Sequence, residues 1–450
     1  MTAPTMLHAD PVPTIDAHSL LVFLLQISVL LLLALGLGRL AMRFGMPIIV
    51  GELSAGVLFG PSVLHALAPG FSDWLLPPTA DQMHLLDAVG QVGVILLVGI
   101  TGIELKFGLI RRRGATAVRV SLGGLLLPLG LGIGIGYLLP SAIVPDGVDL
   151  ATFSLFLGVA MCVSAIPVIA KTLIDMKLLH REVGQLMLAS GVIDDVAGWF
   201  LLSIVSAMAT SGLTQGGATR ALLSPVAVVV VATLIKRPLV RRILRFANQS
   251  PDAAPTIATV VILILLVAAA THALALEPVF GALVCGALIG SSGELDVEKL
   301  VPLRTTVLAF LAPIFFATAG LRIDLTALVQ PVVLLTAVVV LLAAIAGKFA
   351  GAYAGARLSR LGRWEGLALG AGMNSRGVIE VIVAMTGLRL GILDTNTYTI
   401  IVLVAIVTSL MAPPILRFAV TRLDREADES LRSRDRDRDR DGGSGASRGR

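Results

Sequence analysis

Asp194 and Asp195 stand side by side in an apolar run, 185–209, that carries no other charge. Placing an ionised side chain at the centre of a bilayer costs about 2.5–3.5 kcal/mol on insertion scales, so paired acids here imply a functional site. Neighbours on a helix point about 100° apart. One of the two can therefore pair with a cation from another helix while the other opens to a water-filled cavity. Lys348, Arg376 and Glu380 also fall in apolar runs. Arg376 and Glu380 are four residues apart, hence on one helix face, where they satisfy each other and meet the dipole ends of half-helices; they read as mainly structural. Lys348, in AIAGKFAG at 344–351, has no acid within a turn of its own helix, so a cross-helix carboxylate is its natural partner. Snorkelling toward Arg357 is the alternative. Loss of water disfavours the charged forms of acids and amines alike. Protons and a cation can then compete for one site.

The elements that position these groups must be membrane spans. The chain is 56% hydrophobic and 14% charged, with a mean hydropathy of +0.91, which no wetted surface of 450 residues requires. This is the composition of an integral membrane protein. The 46 glycines and 22 prolines suit packed transmembrane helices. Gly130, Gly132, Gly134 and Gly136 belong to that class. Cys162 and Cys285 lie in different apolar runs without a CxxC, so free thiols are expected, with no disulfide, no resident metal and no cofactor. The net charge of +5 is spread in short clusters between apolar runs, a topology signal rather than a nucleic-acid surface.

Thirteen windows are long enough to cross, at 18–42, 46–66, 88–107, 115–139, 151–176, 182–210, 221–240, 255–273, 275–292, 303–321, 330–356, 364–388 and 396–416. With the N-terminus outside, the basic residues around 39–43, 111–113, 177–181, 236–245 and 357–363 all fall inside. Only Arg220, Arg322 and Arg389 remain outside, as the positive-inside rule requires, and the C-terminus is cytoplasmic. Residues 1–17 form a short extracellular N-terminus without the basic region of a cleavable signal peptide. Residues 423–450, with their Arg-Asp alternation at 434–441, read as a disordered cytoplasmic tail. No GxGxxG follows a strand-like run, so no nucleotide-binding regulatory domain is expected.

The second and ninth windows share GxLxxGxLxG, from Gly51 to Gly60 and from Gly281 to Gly290. A weaker echo joins Gly102-Ile-Glu104-Leu to Gly320-Leu-Arg322-Ile, again seven crossings apart. An odd offset inverts the halves, as in secondary transporters whose site lies where broken helices meet near the midplane. The repeat pairs the fifth window with the twelfth, and both carry helix interruptions: Ser164 to Pro167 in one, and the stretch holding Asn374, Ser375 and Arg376 in the other. A kinked but continuous helix is the alternative at Pro167.

Four segments, SAIPVIAK at 164–171, ASGVIDDVAGW at 189–199, Gly347-Lys348 and MNSRGVIE at 373–380, together resemble the monovalent cation:proton antiporter-two family of the sodium/hydrogen exchanger superfamily. The resemblance covers nearly the whole membrane region. It implies an all-α, thirteen-helix transmembrane domain over 18–422, with a core transport bundle that includes spans near 115–210 and 330–416, and a dimerisation panel. It further implies a homodimer, an elevator motion, Asp195 as carrier of the transported cation and of protons, and Asp194 as the partner of Lys348. Ser164, Pro167, Asn374, Ser375, Arg376 and Glu380 support the broken helices.

Relatives with Asp-Asp at this place are generally electrogenic. With Asp195 protonated and Asp194 paired to charged Lys348 the site sums to zero. With both acids ionised, one cation bound and the lysine neutral it sums to minus one, so exchange with two protons moves charge. The chain is thus expected to be a plasma-membrane antiporter of Na+ or K+ against H+, and no enzyme. An intramembrane aspartyl protease is the runner-up, but its two acids come from separate helices to approach one water, and GxGD is absent. A cation channel is the third reading.

Overall fold

The computed structural model describes residues 15–77, 80–105, 107–176, 178, 181–211, 215–231 and 237–445. All but the end of the expected N-terminal segment 1–17 lies outside them. The described chain is helical throughout: α1 (Ala17–Arg43), α2 (Ile48–Phe59), α3 (Pro69–Leu75), α4 (Ala80–Glu104), α5 (Phe107–Leu138), α6 (Leu150–Cys162), α7 (Ile166–Asp175), α8 (Glu182–Ser211) and α9 (Gln215–Val231). There follow α10 (Arg237–Ala247), α11 (Ala253–Ala273), α12 (Pro278–Gly290), α13 (Val301–Thr306), α14 (Ala312–Leu321), α15 (Pro331–Leu358), α16 (Arg363–Met373), α17 (Val378–Arg389) and α18 (Thr395–Gly445).

Among the described residues nine helices are long and apolar enough to span a bilayer, and α16 with α17, bent by 42° at their break, makes a tenth crossing. The other three expected windows hold shorter helices: α6 with α7, α9, and the 13-residue α12. The described residues of the window at 221–240 belong to α9 and to the start of α10. In α10 Leu239 and Phe246 are exposed, while Arg241 and Arg245 hold Glu294 at 3.1 and 2.7 Å. The hydrogen bond from Arg245 keeps that carboxyl below the usual carboxylate range.

The α18 backbone runs on to Gly445, through the start of the expected cytoplasmic tail at residue 423.

The helices sort into two groups. In the first, the panel, α1 packs on α2, α2 on α14, α14 on α4, α4 on α12, and α12 on α11. In the second, the bundle, α5 packs on α15, α6 and α8, and α16 packs on α15 and α18. Polar caps start several helices: Asp149 accepts from the Thr152 amide at 2.8 Å to begin α6, and Glu365 accepts from the Gly362 amide at 2.8 Å at the start of α16.

The bare backbones of the repeat explain the pairing. A methyl group on Gly56 of α2 would stand 2.0 Å from the Ala317 carbonyl oxygen of α14. On Gly286 of α12, its counterpart, it would stand 2.0 Å from the Gly99 carbonyl oxygen of α4. Equivalent glycines thus meet equivalent partners with the halves exchanged. The contact between α5 and α15 is reciprocal, since a methyl on Gly123 would approach the Gly351 oxygen to 2.2 Å and one on Gly351 the Gly123 oxygen to 2.0 Å. That reciprocity is what a pseudo-two-fold axis between the halves demands. Gly351→Ala must push two backbones apart, and overpacking of this kind costs about 1–3 kcal/mol. The expected result is a lower midpoint in thermal unfolding of the detergent-solubilised protein; an unchanged midpoint would mean that the contact is loose.

Candidate ion site at the helix crossing

Both interruptions read from the sequence are breaks. After Cys162 the backbone turns extended at Val163 (φ −76°, ψ 143°) and Ala165 (φ −125°, ψ 101°) before α7 starts. Proline brings no N–H, so a continuous helix would leave the Val163 carbonyl without its donor from Pro167. The second break covers residues 374–377 between α16 and α17. The two breaks are bonded to each other: the Ala165 amide donates to the Ser375 carbonyl at 3.0 Å, and Ser164 Oγ lies 2.9 Å from the Met373 carbonyl.

Four helix ends meet at this crossing, and charge is distributed over them by sign. Arg376 donates through Nη1 to the Ala160 carbonyl (3.2 Å) and to Glu380 Oε1 (3.1 Å), and through Nη2 to the Met161 carbonyl and the Ala344 carbonyl (3.2 Å). Lys348 Nζ donates to the Cys162 carbonyl. The last turn of α6 therefore presents its orphan carbonyls to two cations, the favourable sign for a helix C-terminus. Glu380 lies in the first turn of α17, the favourable end for an acid. Ser409 of α18 donates to the Arg376 carbonyl and holds the second break from behind.

Lys348 reaches across the bundle and does not snorkel. Its Nζ is 2.6 Å from Asp194 Oδ2, and both side chains are 0% exposed. Asp194 accepts also from Ser121 on Oδ1, and from Ser164 on Oδ2 at 2.8 Å. Three donors satisfy this carboxylate. The single Ser164 proton thus has two acceptors, Asp194 and the Met373 carbonyl.

Asp195 has the opposite environment. It is 0% exposed, and neither oxygen has a hydrogen-bond partner among the described residues. The expected divergence of the two acids is what separates them. The expected opening of the second acid into a water-filled cavity is not seen. An apolar cavity of about 710 Å³ between α8, α9 and α12 is lined by Val192, Val196, Phe200, Leu283 and Leu288. Asp195 is absent from that lining, enclosed one residue away from Val196.

The remaining sequence candidates gather at the same crossing. Asn374 and Ser375 are 1% and 2% exposed, and Asn374 Oδ1 and Ser375 Oγ have no partner among the described residues. Pro167 is in the first turn of α7. Ser121 and Ser409 were not found from sequence, because a lone hydroxyl in an apolar helix is commonplace and bonds its own backbone as readily. No signal in the chain distinguishes them.

The chain is similar to known proteins over most of its length. A family model described as sodium/hydrogen exchanger, transmembrane, matches residues 27–422. The chain is similar to the Na+/H+ antiporter NhaS4 of Synechocystis, with 32% identity over 89% of this chain and 98% of the relative. It is similar to the Na+/H+-K+ antiporter GerN of Bacillus cereus at 28% identity, covering 90% and 97%. Cation/H+ antiporter 15 of Arabidopsis thaliana is 28% identical over 88% of this chain, which spans about half (48%) of that longer protein. The solved structure of the sodium proton antiporter MjNhaP1 from Methanocaldococcus jannaschii superposes with a TM-score of 0.67 over 89% of this chain and 99% of that one. At 17% identity, that likeness speaks for the fold.

Proposed function

Because the chain belongs to the sodium/hydrogen exchanger family, we propose that it is a secondary antiporter exchanging Na+ or K+ for H+, with cation and protons taking turns at Asp195. The observation that carries this reading is the contrast between adjacent acids. Asp194 is saturated by Lys348, Ser121 and Ser164, while Asp195 is enclosed with both oxygens unpartnered. A buried acid without a partner is costly unless a proton or a metal ion neutralises it. Each ion therefore stabilises the state that the other must leave, and competition follows from occupancy alone.

The crossing supplies the rest of a cation's shell in this proposal. Asn374 Oδ1 and Ser375 Oγ are buried without a partner among the described residues, and hard monovalent cations take such oxygens. Arg376 and Glu380 hold α17 against α6, as structural ties. Lys348 and Asp194 set the charge of the site. If cation binding at Asp195 draws Asp194 toward the ion, Lys348 loses its counter-charge and releases a proton, so one cation exchanges for two protons and the cycle moves charge.

Alternating access is assigned to the bundle, α5–α8 with α15–α18, moving as a body against a panel that holds two protomers together. The protein is assigned to the plasma membrane with its N-terminus outside, and the basic loop ends at Arg43, Arg181, Arg242 and Arg357 support a cytoplasmic location for the face that carries them. Family membership argues against the protease and channel readings. The names of the relatives include Na+ and K+, and both remain in the proposal.

The test is a proteoliposome ΔpH assay with Na+, Li+, K+ and Rb+, each with and without a clamped membrane potential. At least one of Na+ and K+ is expected to drive proton movement, at a rate that changes with the potential. Proton flux no greater than in protein-free vesicles for every cation would remove the antiport reading, and indifference to potential would remove the charge count.

A further inference from the structure

A polar cluster outside the crossing joins the two helix groups at the face where α8 and α17 end. Glu277, which precedes α12 in the panel, is 3% exposed. It accepts from Ser206 Oγ of α8 at 3.1 Å and from Arg389 Nη2 of α17 at 2.6 Å, both from the bundle. Arg389 Nη1 in turn donates to Gln91 Oε1 of α4 in the panel at 3.2 Å. Two further bonds cross between the groups at this face, from Tyr398 Oη to the Ala319 carbonyl (2.7 Å) and from the Asp324 amide to Thr399 Oγ1 (3.0 Å). Toward the opposite face, α8 and α12 are separated by the 710 Å³ cavity.

The same cluster continues inward along α8. Asp195, Trp199, Ser203 and Ser206 fall within about 80° of one another at 100° per residue, so they share one stripe of the helix. Trp199 Nε1 and Ser203 Oγ are buried and unpartnered among the described residues, as Asp195 is. These unpaired polar atoms stand in a row along α8 toward the pair of Glu277 and Arg389, and each buried unpaired group calls for a role.

We propose that Glu277, with Arg389, Ser206 and Gln91, is the latch that closes this face of the molecule, and that its release opens a polar route along Ser203 and Trp199 to Asp195. The inference rests on the antiport reading, and adds the residues that must part in each cycle. A salt bridge with one partner almost wholly buried suits the role. Parting it leaves a buried carboxylate unpaired, which favours the closed state, and Arg389, 38% exposed on its side chain, can exchange Glu277 for water.

The test uses the full chain in proteoliposomes, its two buried native cysteines kept, with Glu277→Cys and Arg389→Cys to carry a short, reducible bis-thiol cross-linker. Exchange should fall at least ten-fold on cross-linking and return on reduction. Undiminished exchange in fully cross-linked protein overturns the latch while leaving antiport in place; a wild-type protein that exchanges nothing rejects the antiport reading itself. Should the double-cysteine protein fail to fold, Glu277→Gln combined with Ser203→Cys gives a second readout. Labelling of that cysteine by a membrane-impermeant maleimide from the latch face should quicken several-fold over Ser203→Cys alone, and equal labelling overturns the proposal.

Discussion

Asp195→Asn is expected to abolish cation-driven proton movement, at least a hundred-fold down to the leak of empty vesicles, without lowering thermal stability. The two halves of this result have one cause. Asp195 makes no hydrogen bond or ion pair among the described residues, so its removal breaks no bond. The substitution also takes away a buried ionisable group whose charged form is disfavoured by burial. The unfolding midpoint should stay level or rise. Loss of transport together with a falling midpoint would mean that Asp195 is structural, and retained transport would remove it from the carrier role.

Asp194→Asn is expected to act with the opposite sign on stability. It strips Lys348 of a carboxylate 2.6 Å away in a site with no exposed surface, leaving the ammonium with the Cys162 carbonyl. Breaking a buried pair from one side costs about 3–5 kcal/mol when the orphaned charge stays charged, an upper bound because a lysine can shed its proton. Where enough protein survives, the neutral pair should shift exchange toward indifference to membrane potential. Lys348→Met, which removes the other partner, should also weaken that dependence. If voltage affects wild type and both variants alike, the pair has no part in the charge moved. The two neighbouring acids thus separate experimentally: one substitution removes flux and spares the fold, the other burdens the fold and alters the electrical signature.

The parts of this site legible in the sequence were those that violate a rule. Charges in apolar runs, a proline and an Asn-Ser-Arg-Gly stretch inside windows long enough to cross are each expensive, so each marks a place where tertiary structure compensates. Lys348 without a partner on its own helix required one elsewhere, and Asp194 stands there. What remained hidden follows ordinary rules. Ser121 and Ser409 are polar residues that any helix tolerates, and only packing decides that they face a carboxylate and a carbonyl. Glu277 precedes a proline at the edge of a span, where an acid looks like a solvated loop residue, yet it is nearly as buried as the site itself. The enclosure of Asp195 is not legible in the sequence, because a helical angle fixes direction and says nothing of how closely neighbouring helices approach.

The arrangement around Ser164 has a consequence for signalling within the crossing. Rotation about a single Cβ–Oγ bond, a movement of one hydrogen atom on the picosecond scale, decides whether that residue serves the carboxylate of the lysine pair or the carbonyl that ends α16. A change in protonation of the pair would thereby gain or lose a tether between the half-helices with every heavy atom in place. Through one hydroxyl, the charge of the lysine pair and the backbone that ends α16 share a single hydrogen.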